Sequence, residues 1–180
     1  MNASLIAMRY ANALFQLAKE DALVLDSIYI DCSYLKGVMK ESHDLDQFLR
    51  NALIKSGKKI RVFHGIFEMQ LHAYTLRFID LVINNNREIL LSSILLNFIE
   101  LYRRYKGIKT VTVITAVPID DKMHQAICDS IGKQFGCLAE LECRVDSDII
   151  GGVVLMMDGK MVDGSITGQL RSMKKKLLTN

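Results

Sequence analysis

The chain has 180 residues, is 50% hydrophobic and carries a formal net charge of +3. That is enough apolar material for a core in one domain or two small ones, and it argues against a disordered chain. The charge is even along the chain, with 13 basic and 11 acidic residues up to Tyr105 and 10 and 9 beyond it, so neither half is built for bulk phosphate binding.

The start lacks the basic residues and apolar run of a signal peptide and is helical in pattern almost from Ala3. With a single proline, Pro118, and few glycines before Tyr105, long helices are permitted through the first half. The first is expected over about Ser4 to Lys19, with Ile6, Tyr10, Ala13, Leu14 and Leu17 on one side. A second runs from about Leu23 to Lys40, and shorter helices follow near Leu45–Leu53 and Lys58–Met69. Leu71–Ile83 and Glu88–Tyr105 complete the set, separated by Asn84, Asn85 and Asn86, which accept left-handed or capping conformations.

After Gly107 the pattern changes from helical to alternating. Thr110–Ala116 is β-branched and reads as a strand stopped by Pro118, and Asp120 is placed to cap a helix carrying Met123, Ile127, Ile131 and Phe135. In the next strand Ala139, Leu141, Cys143 and Val145 alternate with Glu140, Glu142 and Arg144, which predicts one buried face and one solvated face. Asp158-Gly159 between Val153–Met157 and Lys160–Val162 is a hairpin signal, because a two-residue turn there needs positive φ. Ser165 can cap a last helix that places Ile166, Leu170, Met173 and Leu177 on one face, opposite Arg171 and Lys174 to Lys176. The expected fold class is therefore α+β. An all-α amino-terminal bundle of about six helices, residues 1–105, precedes a small α+β domain, residues 106–180, in the order β-α-β-β-β-α.

A search for chemistry finds little. His43, His64, His72 and His124 never come at the i, i+4 spacing of a helical metal site, and structural or surface roles fit each. Ser56-Gly57-Lys58-Lys59 lacks the upstream glycine and the following Ser or Thr of a phosphate loop and reads as a helix start with exposed charge. Gly151-Gly152 precedes a strand, whereas a dinucleotide fingerprint follows one. Asp146 and Asp148 lack the further oxygens that a hard metal needs and read as turn and cap residues. Cys32, Cys128, Cys137 and Cys143 show no CxxC spacing and read as reduced thiols. The longest apolar run, Ile149 to Met157, is far short of the roughly 20 residues that cross a bilayer. No catalytic residue, metal ligand or cofactor site is expected, and a binding or structural function is the default.

Two helices stand out as binding surfaces. The first has Ala11 and Ala13 beside Tyr10 and Phe15, so small side chains permit close approach of another helix while aromatic ones supply buried area. The same residues also suit plain core packing. Glu88–Tyr105 has more apolar circumference than one core stripe needs, so either it is central to the bundle or part of it forms a groove for a partner helix.

RYANALFQLA at residues 9 to 18, Asn85-Asn86-Arg87 before an apolar helix, TAVP at Thr115–Pro118 and, most specifically, VDSDIIGG followed by DGSITGQL make the chain similar to a known family. It resembles the delta subunit of the bacterial F-type ATP synthase, the relative of the mitochondrial oligomycin-sensitivity-conferring protein, over essentially its whole length. The family usually has a proline or small residue after the aspartate of the first terminal motif, where Ser147-Asp148 stands here. The resemblance implies a non-catalytic stator component, peripheral on the cytoplasmic face of a bacterial inner membrane and held to the membrane only through partners. The amino-terminal domain would bind amino-terminal helices of alpha subunits through a groove between its first and fifth helices. Tyr10, Ala13, Leu14 and Leu17, with Ile94, Phe98 and Leu101 on the other helix, are the head-facing candidates. The carboxyl-terminal domain would engage the b subunit of the peripheral stalk, with Gly151, Gly152, Gly164, Leu170 and Met173 as candidates. A small nucleic-acid-binding protein using the Lys174–Lys176 helix is the alternative.

Overall fold

A computed structural model describes residues 3–136, 138–157 and 159–178, the side chains of residues 134, 135, 176 and 178 excepted. The expectations for Cys137, for Asp158 of the hairpin turn and for the side chains of Phe135 and Lys176 therefore lie outside the described residues. The chain divides into two compact units, Met1–Tyr102 and Arg103–Asn180.

Unit 1 consists of helices. They are α1 (Ala3–Ala18), α2 (Ala22–Glu41), α3 (His43–Arg50), α4 (Ser56–Phe67), α5 (Ala73–Asn84) and, after a single 3-10 turn at Glu88–Leu90, α6 (Leu91–Lys106), whose last residues lie in unit 2. Their ends are set by local chemistry. Asp21 caps α2 by accepting from the Leu23 and Val24 amides, and Ser42 caps α3 by accepting from Leu45. At the end of α5, Asn86 has φ of +53°, while the Asn86 amide donates to the Ile83 carbonyl and the Arg87 amide to that of Val82. This left-handed cap satisfies two otherwise orphaned carbonyls, which is why asparagine serves there.

The core of unit 1 forms around α6. Leu91, Ile94, Leu95, Phe98, Ile99 and Tyr102 are all buried, while Ile89 and Leu96 of the same segment are 55% and 44% exposed, so the helix gives one stripe to the core and keeps apolar residues outside it. Its Phe98 meets Phe15 edge-on at 6.2 Å, and Tyr102 stacks on Tyr29 at 3.9 Å. Helix α1 gives this core Ile6, Ala7, Ala11, Leu14, Phe15 and Ala18. Lys59 corrects the expected exposed charge at the start of α4: it is only 1% exposed and forms an ion pair with buried Glu88, 29 residues away. A buried ammonium is retained only with such a partner.

Unit 2 is built on a four-stranded sheet in the order β2-β1-β3-β4. Strand β1 (Ile108–Thr115) pairs in parallel with β2 (Leu138–Val145) through the crossover helix α7 (Asp121–Phe135), and antiparallel with β3 (Val153–Met157), which forms a hairpin with β4 (Lys160–Asp163). Asp120 caps α7 by accepting from the Met123 amide at 2.8 Å, and Gly136 ends it at φ of +62°. Val111, Val113 and Ile131 form the buried cluster, with Ile127, Ala139, Leu141, Val153, Leu155 and Met157 packed against it. Met123, in the first turn of α7, is exposed and takes no part. The clean alternation expected of β2 holds only at its start. As an edge strand it has one neighbour, the cluster stops at Leu141, and Cys143 and Val145 are exposed. Asp146 and Asp148 occupy a turn in which Asp146 Oδ1 accepts from the Asp148 amide.

Candidate functional site

Helix α1 carries two adjoining apolar stripes where its sequence pattern showed one. The buried stripe contains Leu14 and its core neighbours, whereas Tyr10 is half-buried, Ala13 is exposed and Leu17 is 56% exposed. These last three recur at i, i+3 and i+7, along one line of a helix. Helix α5 has the same double character. Thr75, Leu76, Ile79, Val82 and Ile83 are buried, while Tyr74 and Leu81 are 43% and 50% exposed and Phe78 is half-buried.

The two outer stripes face one groove of about 520 Å³, with Tyr10, Ala13, Leu14 and Leu17 on one wall and Tyr74, Phe78 and Leu81 on the other. Tyr10 and Phe78 meet edge-on across it at 6.3 Å. Arg9 and Arg77 are the charged residues lining it. An apolar trough with aromatic walls is shaped for a side-chain stripe of another helix.

The position of α5 is fixed from behind. Asp31 on α2, only 7% exposed, accepts from the His72 amide at 2.8 Å and from the Thr75 hydroxyl at 2.5 Å, capping the start of α5 from another helix. His64 on α4 meets the Asp80 carboxylate at 2.9 Å. His72 itself accepts from the Tyr74 amide and its ring stacks on Tyr74. These histidines thus have structural roles, and the described residues contain no group of three or more His, Cys, Asp or Glu that could hold a metal ion.

Of the expected head-facing residues, Tyr10, Ala13, Leu14 and Leu17 line the groove. Ile94 and Phe98 do not. Both are fully buried inside the bundle and Leu101 is half-buried on the same helix, because they belong to the stripe that α6 gives to the core. The second wall is α5, whose Tyr74, Arg77, Phe78 and Leu81 the sequence analysis missed. The available signal was the spacing 74, 78, 81, a second helical phase beside the core positions.

In unit 2 the glycines expected at a stalk contact have a fold role. Gly152 has φ of +82°, and a Cβ there would lie 2.4 Å from the Gly164 carbonyl oxygen. A Cβ on Gly164 would come within 3.1 Å of the Val153 carbonyl, and one on Gly151 within 3.0 Å of Ile166 Cδ1. The loop before β3 therefore packs backbone to backbone against the start of the last helix, α8 (Ile166–Leu178). Ser165, buried, caps that helix by accepting from the Gly168 amide at 2.9 Å and donates to Asp163 at 2.6 Å. These bonds from Ser165 hold the Asp163 carboxyl below its usual range. The apolar face of α8 lies open: Ile166, Leu170, Met173 and Leu177 are all exposed, from 44% at Ile166 to 81% at Leu177. Among the cysteines, Cys32 is buried, Cys128 half-buried and Cys143 exposed, and burial pushes the thiols of Cys32 and Cys128 upward.

Comparison with known proteins gives this geometry a context. The family model described as ATP synthase delta (OSCP) subunit matches residues 6–177. ATP synthase subunit delta of Parabacteroides distasonis is 33% identical over 180 residues, covering 100% of this chain and 99% of the relative. The protein of the same description from Rhodospirillum centenum is 31% identical over 170 residues, 94% and 91% of the two chains. A chain of the cryo-EM structure of the Toxoplasma gondii mitochondrial ATP synthase hexamer superposes with a TM-score of 0.68 at 22% identity, covering 96% of this chain and 97% of that one. That likeness speaks for the fold, and the sequence matches speak for descent. The chain belongs to the ATP synthase delta (OSCP) subunit family.

Proposed function

We propose that this chain is the non-catalytic stator subunit that joins the catalytic head of an F-type ATP synthase to its peripheral stalk. Proton flow turns a rotor, and the head would turn with it unless held. A subunit that holds it needs firm binding at two places and no chemistry between them.

The observation that carries the reading is the groove between α1 and α5, lined, apart from core residue Leu14 at its base, by outer apolar positions of both helices. It accepts an amphipathic helix from the amino terminus of an alpha subunit. Burial of apolar area there offers roughly 25 cal/mol per Å², offset in part by the cost of ordering the partner. The second contact is the open face of α8 around Leu170 and Met173, which takes the end of the b-subunit stalk. Gly151, Gly152 and Gly164 support that face by holding the start of α8 against the sheet. Among the described residues no helix is long and apolar enough to cross a membrane. In this reading partners hold the chain at the cytoplasmic face of the inner membrane.

The nucleic-acid reading finds no support. The relatives matched over nearly the whole chain are ATP synthase subunits, and no aromatic residue stands on α8 among its lysines to stack a base.

The test is a titration with a tryptophan-bearing peptide from the alpha-subunit amino terminus, because this chain has no tryptophan of its own. Saturable one-to-one binding is expected. Ala13→Asp is expected to abolish it with the fold intact, since Ala13 is exposed in the free chain and a larger, charged side chain there would fill the groove and lose its water only in the complex. Unchanged affinity in the folded variant refutes the placement.

A further inference from the structure

The groove carries a charge pattern as well as a shape. Arg9 stands on the α1 wall and Arg77 on the α5 wall, and among the described residues no acidic one lines the groove. Each arginine comes one residue before the aromatic side chain that meets its counterpart across the groove, Arg9 before Tyr10 and Arg77 before Phe78. The backbones of the two arginines are therefore carried near one level of the groove, on opposite walls. Neither side chain has an ion pair or hydrogen-bond partner among the described residues, a state shared with Arg61, Arg87 and Arg104, so what sets Arg9 and Arg77 apart is their place in an apolar groove.

An unpaired guanidinium is stable while water reaches it. A helix lying in the groove would remove part of that water, and a positive group on the occupant at the same level would meet two like charges. A carboxylate there would instead receive planar, charge-assisted donors from either side. We propose that Arg9 and Arg77 are specificity-determining residues that act as a two-sided carboxylate receptor, so that the helix accepted by this groove carries Asp or Glu beside its apolar stripe at the level of the Tyr10–Phe78 contact. The apolar walls supply most of the affinity, and the arginines set the register and polarity of the occupant. This inference rests on the groove being the docking site for the alpha-subunit helix.

The experiment uses the full chain, the tryptophan-bearing alpha-subunit peptide, and the same peptide with every Asp and Glu changed to Asn and Gln. Both are titrated into the unmodified chain, Arg9→Gln, Arg77→Gln and the double variant, at low and at high salt. Each arginine substitution is expected to weaken the acidic peptide by up to about fivefold, and the double variant to lose most of the salt dependence. The amidated peptide should bind the unmodified chain about as weakly as the acidic peptide binds the double variant, with no further loss when both changes are combined. Equal affinity of the two peptides for the unmodified chain overturns the inference. So does unchanged binding by the arginine variants; if Ala13→Asp still abolishes binding, the docking site stands without its charge reading. Failure of both peptides to bind the folded chain overturns the docking site and the arginine proposal together.

Discussion

Replacing Lys59 with methionine is the sharpest test of what holds unit 1 together. Lys59 is 1% exposed and Glu88 8%, the two form an ion pair, and Glu88 Oε2 is buried with no hydrogen-bond partner among the described residues. Removing the ammonium leaves a carboxylate in a nearly dry site with neither cation nor solvent, a loss of about 3–5 kcal/mol. The pair itself is a different matter. Because one carboxylate oxygen is already unsatisfied, the desolvation of both charges is only partly offset, and the double variant Lys59→Met/Glu88→Leu is expected to be as stable as the unmodified chain or better by about 1–4 kcal/mol. Urea unfolding followed by circular dichroism at 222 nm gives the four corners of the cycle, provided the slope with denaturant stays constant. A single variant within about 0.5 kcal/mol of the unmodified chain refutes the argument, since that is the range of an ordinary surface change. A double variant as damaged as Lys59→Met refutes it too, by showing that the site needs its charge.

Gly152→Ala must hold a Cβ at φ of +82° and 2.4 Å from the Gly164 carbonyl; unit 2 is expected to lose about 2–5 kcal/mol, read as faster amide exchange in β3 and β4, and unchanged exchange would remove the glycines from the fold's requirements. Tyr102 is buried and donates to Asp26 at 2.9 Å, and burial followed by that carboxylate pushes the phenol up to about 12. Its neutral form is the one the fold favours, so its contribution is full below an unfolded value of about 10 and is lost as pH rises toward about 12. Stability curves of the unmodified chain and Tyr102→Phe should thus run parallel at neutral pH and converge above about pH 10; parallel curves throughout would contradict the shift.

The order of helices and strands was legible because its signals are local. Asp120 and Ser165 announced their helices, Asn86 the end of α5, and Gly159 the hairpin. The groove was legible only on one side. Tyr10, Ala13 and Leu17 are apolar or small for the same compositional reasons as Leu14 and Ala11, and only the neighbouring helices decide which stripe is covered. The second wall was misplaced onto Ile94 and Phe98 because an apolar stripe looks alike in sequence whether it meets the bundle's own core or a partner. Lys59 was read as solvated since nothing in its own turn of helix reveals a carboxylate 29 residues on. The open face of β2 had the same cause: alternation marks a sheet face, but not how far the covering helix reaches along it.

The close contact between Gly152 and Gly164 bears on stiffness. The Gly164 amide donates to the Val153 carbonyl at 2.9 Å, and the Ile166 amide to that of Gly151 at 3.0 Å. A tug on α8 thus reaches β3 through main-chain atoms in direct apposition, with no long side chain in the path to change rotamer and absorb displacement. Such a link is short, and bond-angle and hydrogen-bond strain are the main ways it would yield. For a subunit that resists a turning rotor, this joint would return little of each power stroke as elastic lag.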